Sequence, residues 1–129
     1  MDTVAVIDFE TTGISPDAGA RATEIAAVLV RDGRVVGRYQ SLMNAGAWVS
    51  PFIEQLTGIT NEMVRAAPPA AKVMREVADF VGAHPMVAHN ASFDCRFWDA
   101  ELGRIRKARV QEFACTMLLA RRIYPEAPN

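Results

Sequence analysis

Cysteine is scarce in this chain: Cys95 and Cys115 are the only two among 129 residues, far apart and in no paired spacing. That excludes a disulfide scaffold, a zinc ribbon and a dithiol redox motif, and both residues are expected as reduced thiols. Charge of one sign is also lacking, since 14 Lys and Arg stand against 15 Asp and Glu for a formal net charge of -1. No global field then draws the protein to a polyanion, and any nucleic-acid binding must rest on metal ions and a local patch. No apolar run approaches the ~20 residues that cross a bilayer. Met1-Asp2-Thr3 leads into a strand-like run and not a basic leader, so a cytoplasmic protein without a membrane segment is expected. Internal repeats, low-complexity tracts and linkers are absent too, and with 50% apolar residues the 129 residues read as one domain with a real core.

What is present is led by Asp8-Phe9-Glu10, at the end of the apolar run Val4-Ala5-Val6-Ile7. Side chains alternate along a strand, so Asp8 and Glu10 point to one face with Cα atoms roughly 6–7 Å apart, while Phe9 enters the opposite layer. At about 5 Å and an effective dielectric of about 20, two carboxylates repel by about 3 kcal/mol, which calls for a positive partner. A hard divalent cation, Mg²⁺ or Mn²⁺, is the simplest one.

Residues 3–9 read as a buried strand, and Thr11-Thr12-Gly13 turns the chain. Two further apolar runs, Ile25 to Val30 and Val35 to Met43, flank Asp32-Gly33, a strong hairpin signal. From Pro51 the pattern becomes helical, with Pro51 in a first turn, Thr60 as an N-cap and Gly58 past a helix end. Val73, Val77, Phe80 and Val81 define an amphipathic helix, Met86-Val87-Ala88 a fourth strand, and Phe93, Phe97, Trp98, Leu102 and Ile105 a second helix. A last helix is expected through Met117, Leu118 and Leu119 to Arg122, Trp48 and Trp98 are expected in or beside the core, and the basic run Arg104, Arg106, Lys107 and Arg109 on a solvated helix face. The order gives an α/β fold: a mixed sheet with helices packed on its faces.

A third carboxylate, Asp94, follows the fourth strand in His89-Asn90-Ala91-Ser92-Phe93-Asp94. If that strand neighbours the first, Asp94 can face Asp8 and Glu10; otherwise it simply suits the positive end of a helix dipole. Asp8-Phe9-Glu10-Thr11-Thr12-Gly13 and His89-Asn90-Ala91-Ser92-Phe93-Asp94 together resemble the first two motifs of the DEDD exonuclease superfamily, in its DEDDh, epsilon-like proofreading-subunit branch. Leu56-Thr57-Gly58-Ile59-Thr60 between them resembles a segment which that branch places beside the substrate groove.

The resemblance implies a ribonuclease H-like fold and two-metal, Mg²⁺- or Mn²⁺-dependent 3′→5′ removal of nucleotides from single-stranded DNA or RNA ends, with a DNA polymerase subunit as a partner where the role is proofreading. It implies Asp8 bridging two ions, Glu10 holding one and reaching toward the terminal 3′-hydroxyl, and Asp94 completing the cluster. For substrate binding, Thr11, Thr12 and Gly13 form a turn whose backbone can approach a nucleotide. Ile14 and Phe93 either sandwich the terminal base or, for Phe93, pack in the core. Thr57 either lines the groove or ends a helix; His89 and Asn90 either contact phosphate or cap one.

The family's third motif, a histidine followed five positions later by an aspartate, has no counterpart after Asp94, and His89 with Asp94 already occupies the second. The expectation is an exonuclease domain over 1–129 truncated before that motif, whose full gene product cleaves 3′ ends. The alternative is a non-catalytic module of the same fold that binds nucleic acid or a polymerase. A phosphohydrolase of small nucleotides is a third reading.

Overall fold

The apolar run at the start continues past its acids as one strand, β1 (Val4–Thr11), and the rest of the fold is arranged around it. The computed structural model describes residues 3–115. Among the described residues four more strands follow, β2 (Ala22–Arg31), β3 (Arg34–Leu42), β4 (Met86–Ala88) and β5 (Phe113–Cys115), in the sheet order β3-β2-β1-β4-β5. β1 pairs antiparallel with β2 and parallel with β4, so the sheet is mixed, as expected. The β2–β3 hairpin turns at Asp32 (φ 53°) and Gly33 (φ 73°), both left-handed, as the two central residues of its tight turn require.

A parallel return to β4 needs a long crossover, and three helices fill it: α1 (Pro51–Thr57), α2 (Asn61–Ala66) and α3 (Ala70–Val81). The fourth, α4 (Ala91–Arg104), leaves directly from β4. Ser50 and Thr60 cap α1 and α2 with their hydroxyls, Pro51 sits in the first turn of α1, and Gly58 ends it at φ 76°.

Period-two alternation decides which side of β1 is buried. Ala5, Ile7 and Phe9 face inward with their partners Ile25 and Ala27 on β2, against Val73, Met74 and Val77 of α3 and Phe97, Trp98 and Leu102 of α4. The Phe9 ring lies 6.3 Å from that of Phe97 and 6.5 Å from that of Trp98. Val6, Asp8 and Glu10 face the other way, toward solvent. A second small cluster, Val49, Ile59 and Val64 with Leu42 and Ile53, lies beneath α1 and α2.

Several expectations are corrected. Trp48 is 69% exposed, outside any regular element, whereas Trp98 is core as expected. The basic run leaves the helix: α4 ends at Arg104, Arg106 turns the chain at φ 61°, and Arg109 clamps this loop by pairing with Asp99 and lying over the Phe113 ring. The short strand β5, for which the sequence offers no alternation to read, extends the sheet beside β4. The expected helix through Met117 to Arg122 lies outside the described residues.

Candidate active site

The site begins where β1 and β4 part. Their pairing runs through Ala5↔Met86 and Val6↔Val87 and then stops. The amide of Ala5 donates to the carbonyl of Pro85 at 2.8 Å, while that of Phe9, on the same edge of the strand and beyond the pairing, has no strand partner there. It donates instead to Oδ1 of Asp94 at 3.1 Å in a buried hydrogen bond. Asp94 can accept it because β4 delivers the chain through His89-Asn90 straight into α4, and Asp94 lies in that helix's first turn. The bond seats a carboxylate that is only 5% exposed beside the residue between Asp8 and Glu10.

The electrostatics register this gathering of acids. Burial pushes the Asp94 carboxyl up to about 6; the Phe9 amide pulls it back, and the charges of Asp8 and Glu10 push it further up. Glu10 is raised as well, first by burial, then by Asp8, then by Glu24. Glu24 stands opposite Glu10 in the β1–β2 register, so the two share a face. None of Asp8, Glu10 and Asp94 forms an ion pair among the described residues.

These groups offer a metal only oxygen donors carrying uncompensated negative charge, the set that hard divalent cations prefer. By donor chemistry they fit such an ion. They do not form a finished cage: among the described residues no three His, Cys, Asp or Glu side chains form a group able to hold one.

Thr11 is buried and its hydroxyl donates to the Gly13 carbonyl at 2.6 Å. Thr12 exchanges two bonds with Arg21: its amide donates to the Arg21 carbonyl at 2.9 Å and its Oγ1 accepts the Arg21 amide at 3.0 Å. These hydroxyls shape the turn, which leaves its backbone as the face toward a ligand. At Gly13 a Cβ would lie 3.2 Å from that of Ala20, so the turn is drawn close to the residues that lead into β2. Ile14 is 81% exposed at its tip.

Thr57 ends α1, donating to the Ile53 carbonyl at 2.8 Å and accepting the Ile59 amide at 3.2 Å, which supports the helix-end reading. The register ties this segment to the acids. Glu10↔Glu24 and Glu24↔Leu42 form one row across three strands, and Leu42 packs under α1 and α2. With strands about 4.8 Å apart, α1 and α2 stand against a residue about 10 Å from Glu10 on the same face. Asn90 occupies the N-cap position of α4, but its side chain makes no cap bond and accepts instead from Ser92 Oγ at 3.3 Å. His89 is exposed at the end of β4, and its carbonyl accepts from Cys115 Sγ at 3.2 Å. Phe93 is half-buried, its ring 4.8 Å from that of Phe97, so it packs at the edge of the core while keeping one side open.

Sequence reasoning missed Glu24. Its only signal is an acid at the head of the apolar run of β2, and its place beside Glu10 depends on a register that contains a bulge: Glu10 pairs with Glu24 but Thr11 with Ala22, leaving Thr23 as the extra residue.

The model of the exonuclease (RNase T) family matches residues 5–129. DinG of Bacillus subtilis, described as a 3'-5' exonuclease, is 40% identical over 124 residues, which are 93% of this chain and 13% of DinG. The PolC-type DNA polymerase III of Bacillus cereus is 36% identical over 129 residues, 99% of this chain and 9% of that protein. The chain thus spans a small part of these relatives. Among solved structures, exonuclease X in complex with 5' overhanging duplex DNA is similar with a TM-score of 0.77 and 32% identity, covering 97% of this chain and 66% of that one. Apo exonuclease I shares the fold with a TM-score of 0.82 at 20% identity, over 100% of this chain and 33% of its own. The fold is therefore the ribonuclease H-like one of these exonucleases.

Proposed function

Because the chain belongs to the exonuclease (RNase T) family, we propose that Asp8, Glu10 and Asp94 form the metal-binding core of a 3′→5′ exonuclease that removes nucleotides from single-stranded DNA ends. One observation carries the proposal: the Phe9 amide holds Asp94 beside the strand that presents Asp8 and Glu10 to solvent. Nothing in the packing requires an acid at Asp94, and its burial, together with repulsion from Asp8 and Glu10, is costly without a cation.

Two Mg²⁺ or Mn²⁺ ions bound there would supply Lewis acidity at the scissile phosphate and a water acidified enough to attack near neutral pH. The protein's part is to hold oxygen ligands in place. Asp8 and Glu10 are fixed by the strand, since Phe9 between them is locked in the aromatic core. Asp94 is fixed by its bond to that same residue's amide. The substrate's phosphate oxygens, with ligands beyond these three, would complete the coordination of such ions. The backbone of the turn 11–14 and the half-open Phe93 ring offer surfaces to the terminal nucleotide, and Thr57, His89 and Asn90 border the strand's path.

DNA is favoured over RNA because exonuclease X is solved with DNA and the PolC relative is a DNA polymerase. A proofreading partnership with a polymerase follows from the same likeness. The test is the complete gene product incubated with 3′-labelled single-stranded DNA and RNA in Mg²⁺ or Mn²⁺. Stepwise loss of 3′ nucleotides from DNA, absent in Asp8→Ala, is the expected result. Binding without nucleotide release under either metal would establish the non-catalytic module instead.

A further inference from the structure

Helix α4 is fastened to the sheet by two of its own carboxylates. Asp94 and Glu101 are 5% and 2% exposed and lie seven residues apart, two turns along one face. Asp94 accepts the amide of Phe9 on β1 at 3.1 Å. Glu101 accepts the amide of Ala22 on β2 at 3.2 Å, and both its oxygens accept from Arg21: Nε to Oε2 at 2.9 Å and Nη2 to Oε1 at 2.8 Å. Arg21 spends its remaining reach locally, with Nη1 donating to the Ala45 carbonyl at 3.3 Å and its backbone bonded both ways to Thr12. One ion pair therefore ties together α4, the start of β2, the loop after β3 and the turn that follows Glu10.

Stability alone does not call for such a pair. A buried ion pair carries a desolvation penalty that a well-packed apolar pair of similar volume avoids, and such replacements are often neutral or better. What the fork of a guanidinium on a carboxylate adds is orientation, because two parallel bonds fix distance and angle together. Along a helix rising 1.5 Å per residue the two anchors are about 10 Å apart, so a tilt or rotation of α4 at Glu101 is delivered to Asp94.

We infer that Arg21 and Glu101 are the positioning pair of the exonuclease site: they set the depth and rotation of α4 that seat Asp94 on the Phe9 amide, and they hold the turn 11–14 against Glu10. The geometric part of this stands on the hydrogen bonds, while its consequence for metal binding rests on the exonuclease reading.

The test replaces both partners, Arg21→Met with Glu101→Leu, in the complete gene product, so that no charge is left buried alone. Two readouts are taken: hydrogen exchange resolved to single amides, and Mn²⁺ affinity by calorimetry. The expected double variant folds with the parental circular dichroism, exchanges the Phe9 amide about tenfold faster or more, and leaves that of Ala5, bonded to Pro85, unchanged. Its Mn²⁺ affinity falls about 10- to 100-fold, the range typical of groups that orient a metal ligand. If the double variant does not fold, Arg21→Lys, which keeps the charge and loses the fork, is read by the same two measurements. Parental exchange at Phe9 overturns the inference, and so does faster exchange with parental Mn²⁺ affinity. A parent that binds no Mn²⁺ overturns the exonuclease reading instead, and the Phe9 amide still decides the role of the pair.

Discussion

Asp94 Oδ1 accepts the backbone amide of Phe9 at 3.1 Å, and this bond joins the helix that carries the third acid to the strand that carries the other two. It uses a main-chain donor of the central strand that the short β4 leaves unpaired, so the point where β1 and β4 part becomes the seat of a carboxylate. The first prediction concerns that seat. Asp94→Asn keeps an oxygen for the Phe9 amide and removes the charge that burial penalises. The metal-free protein should become more stable at pH 7.5, by on the order of 1–2 kcal/mol, since solvent screens part of the cost of the buried charge. Nucleotide release should be lost at the same time. Urea denaturation and the end-labelled DNA assay measure the two effects.

The same group predicts a pH dependence. Burial pushes its carboxyl up to about 6, from an ordinary value of 3.8. A raised value means that the fold favours the protonated form, so the contribution is fully present below about pH 4 and is lost as pH rises through about 6. In the metal-free protein, stability attributable to Asp94 should fall across that window, with a slope of at most about 1.4 kcal/mol per pH unit. Glu10, raised in the same direction, adds to it. The stability difference between Asp94→Asn and the parent should grow from pH 4 to pH 7. A difference that stays flat across this range contradicts the burial of Asp94 as an acid.

Asp8 provides the opposite case, an exposed acid that no packing requires and to which the proposed function assigns a metal. Asp8→Ala should leave stability within about 0.5 kcal/mol, as for most surface changes, or raise it slightly by relieving Glu10. It should abolish release of 3′ nucleotides in both metals. Circular dichroism with thermal melting, beside the cleavage assay, separates the two effects.

How much of this was legible in the sequence depends on the range of each interaction. The shared face of Asp8 and Glu10 follows from the two-residue period of a strand and needs nothing beyond residues 4–11. The neighbourhood of β1 and β4 could be stated only as a condition, and Ala5↔Met86 meets it. The bond that seats Asp94 could not be read, because it depends on where that pairing stops. The Arg21–Glu101 pair spans 80 positions of sequence and leaves no local pattern. Hydrophobicity ranks Trp48 for the core but does not see that the loop after Gly46 turns it outward. For Arg104 to Arg109 the reason is the reverse: the helix ends at Arg104, and Arg106 beyond it adopts a left-handed backbone that no propensity announces.

Glu24 is the acid that sequence did not find, and its role can be separated from that of a ligand. It lies directly across from Glu10, where two like charges are unfavourable, and it raises Glu10's carboxyl as the third cause after burial and Asp8. Glu24→Gln keeps an oxygen for the side-chain amide of Gln40, which reaches it at 3.2 Å. Relief of the opposed charges should stabilise the metal-free protein by about 0.2–1 kcal/mol. With one negative charge fewer near the site, the Mn²⁺ concentration for half-maximal cleavage should rise severalfold, while the rate at saturating Mn²⁺ stays at the parental value. That split identifies a residue acting through the field. A direct ligand would behave otherwise, because the loss in rate would persist at any metal concentration. A titration of cleavage rate against Mn²⁺ for the parent, Glu24→Gln and Glu10→Gln distinguishes them, since Glu10→Gln should lower the plateau itself.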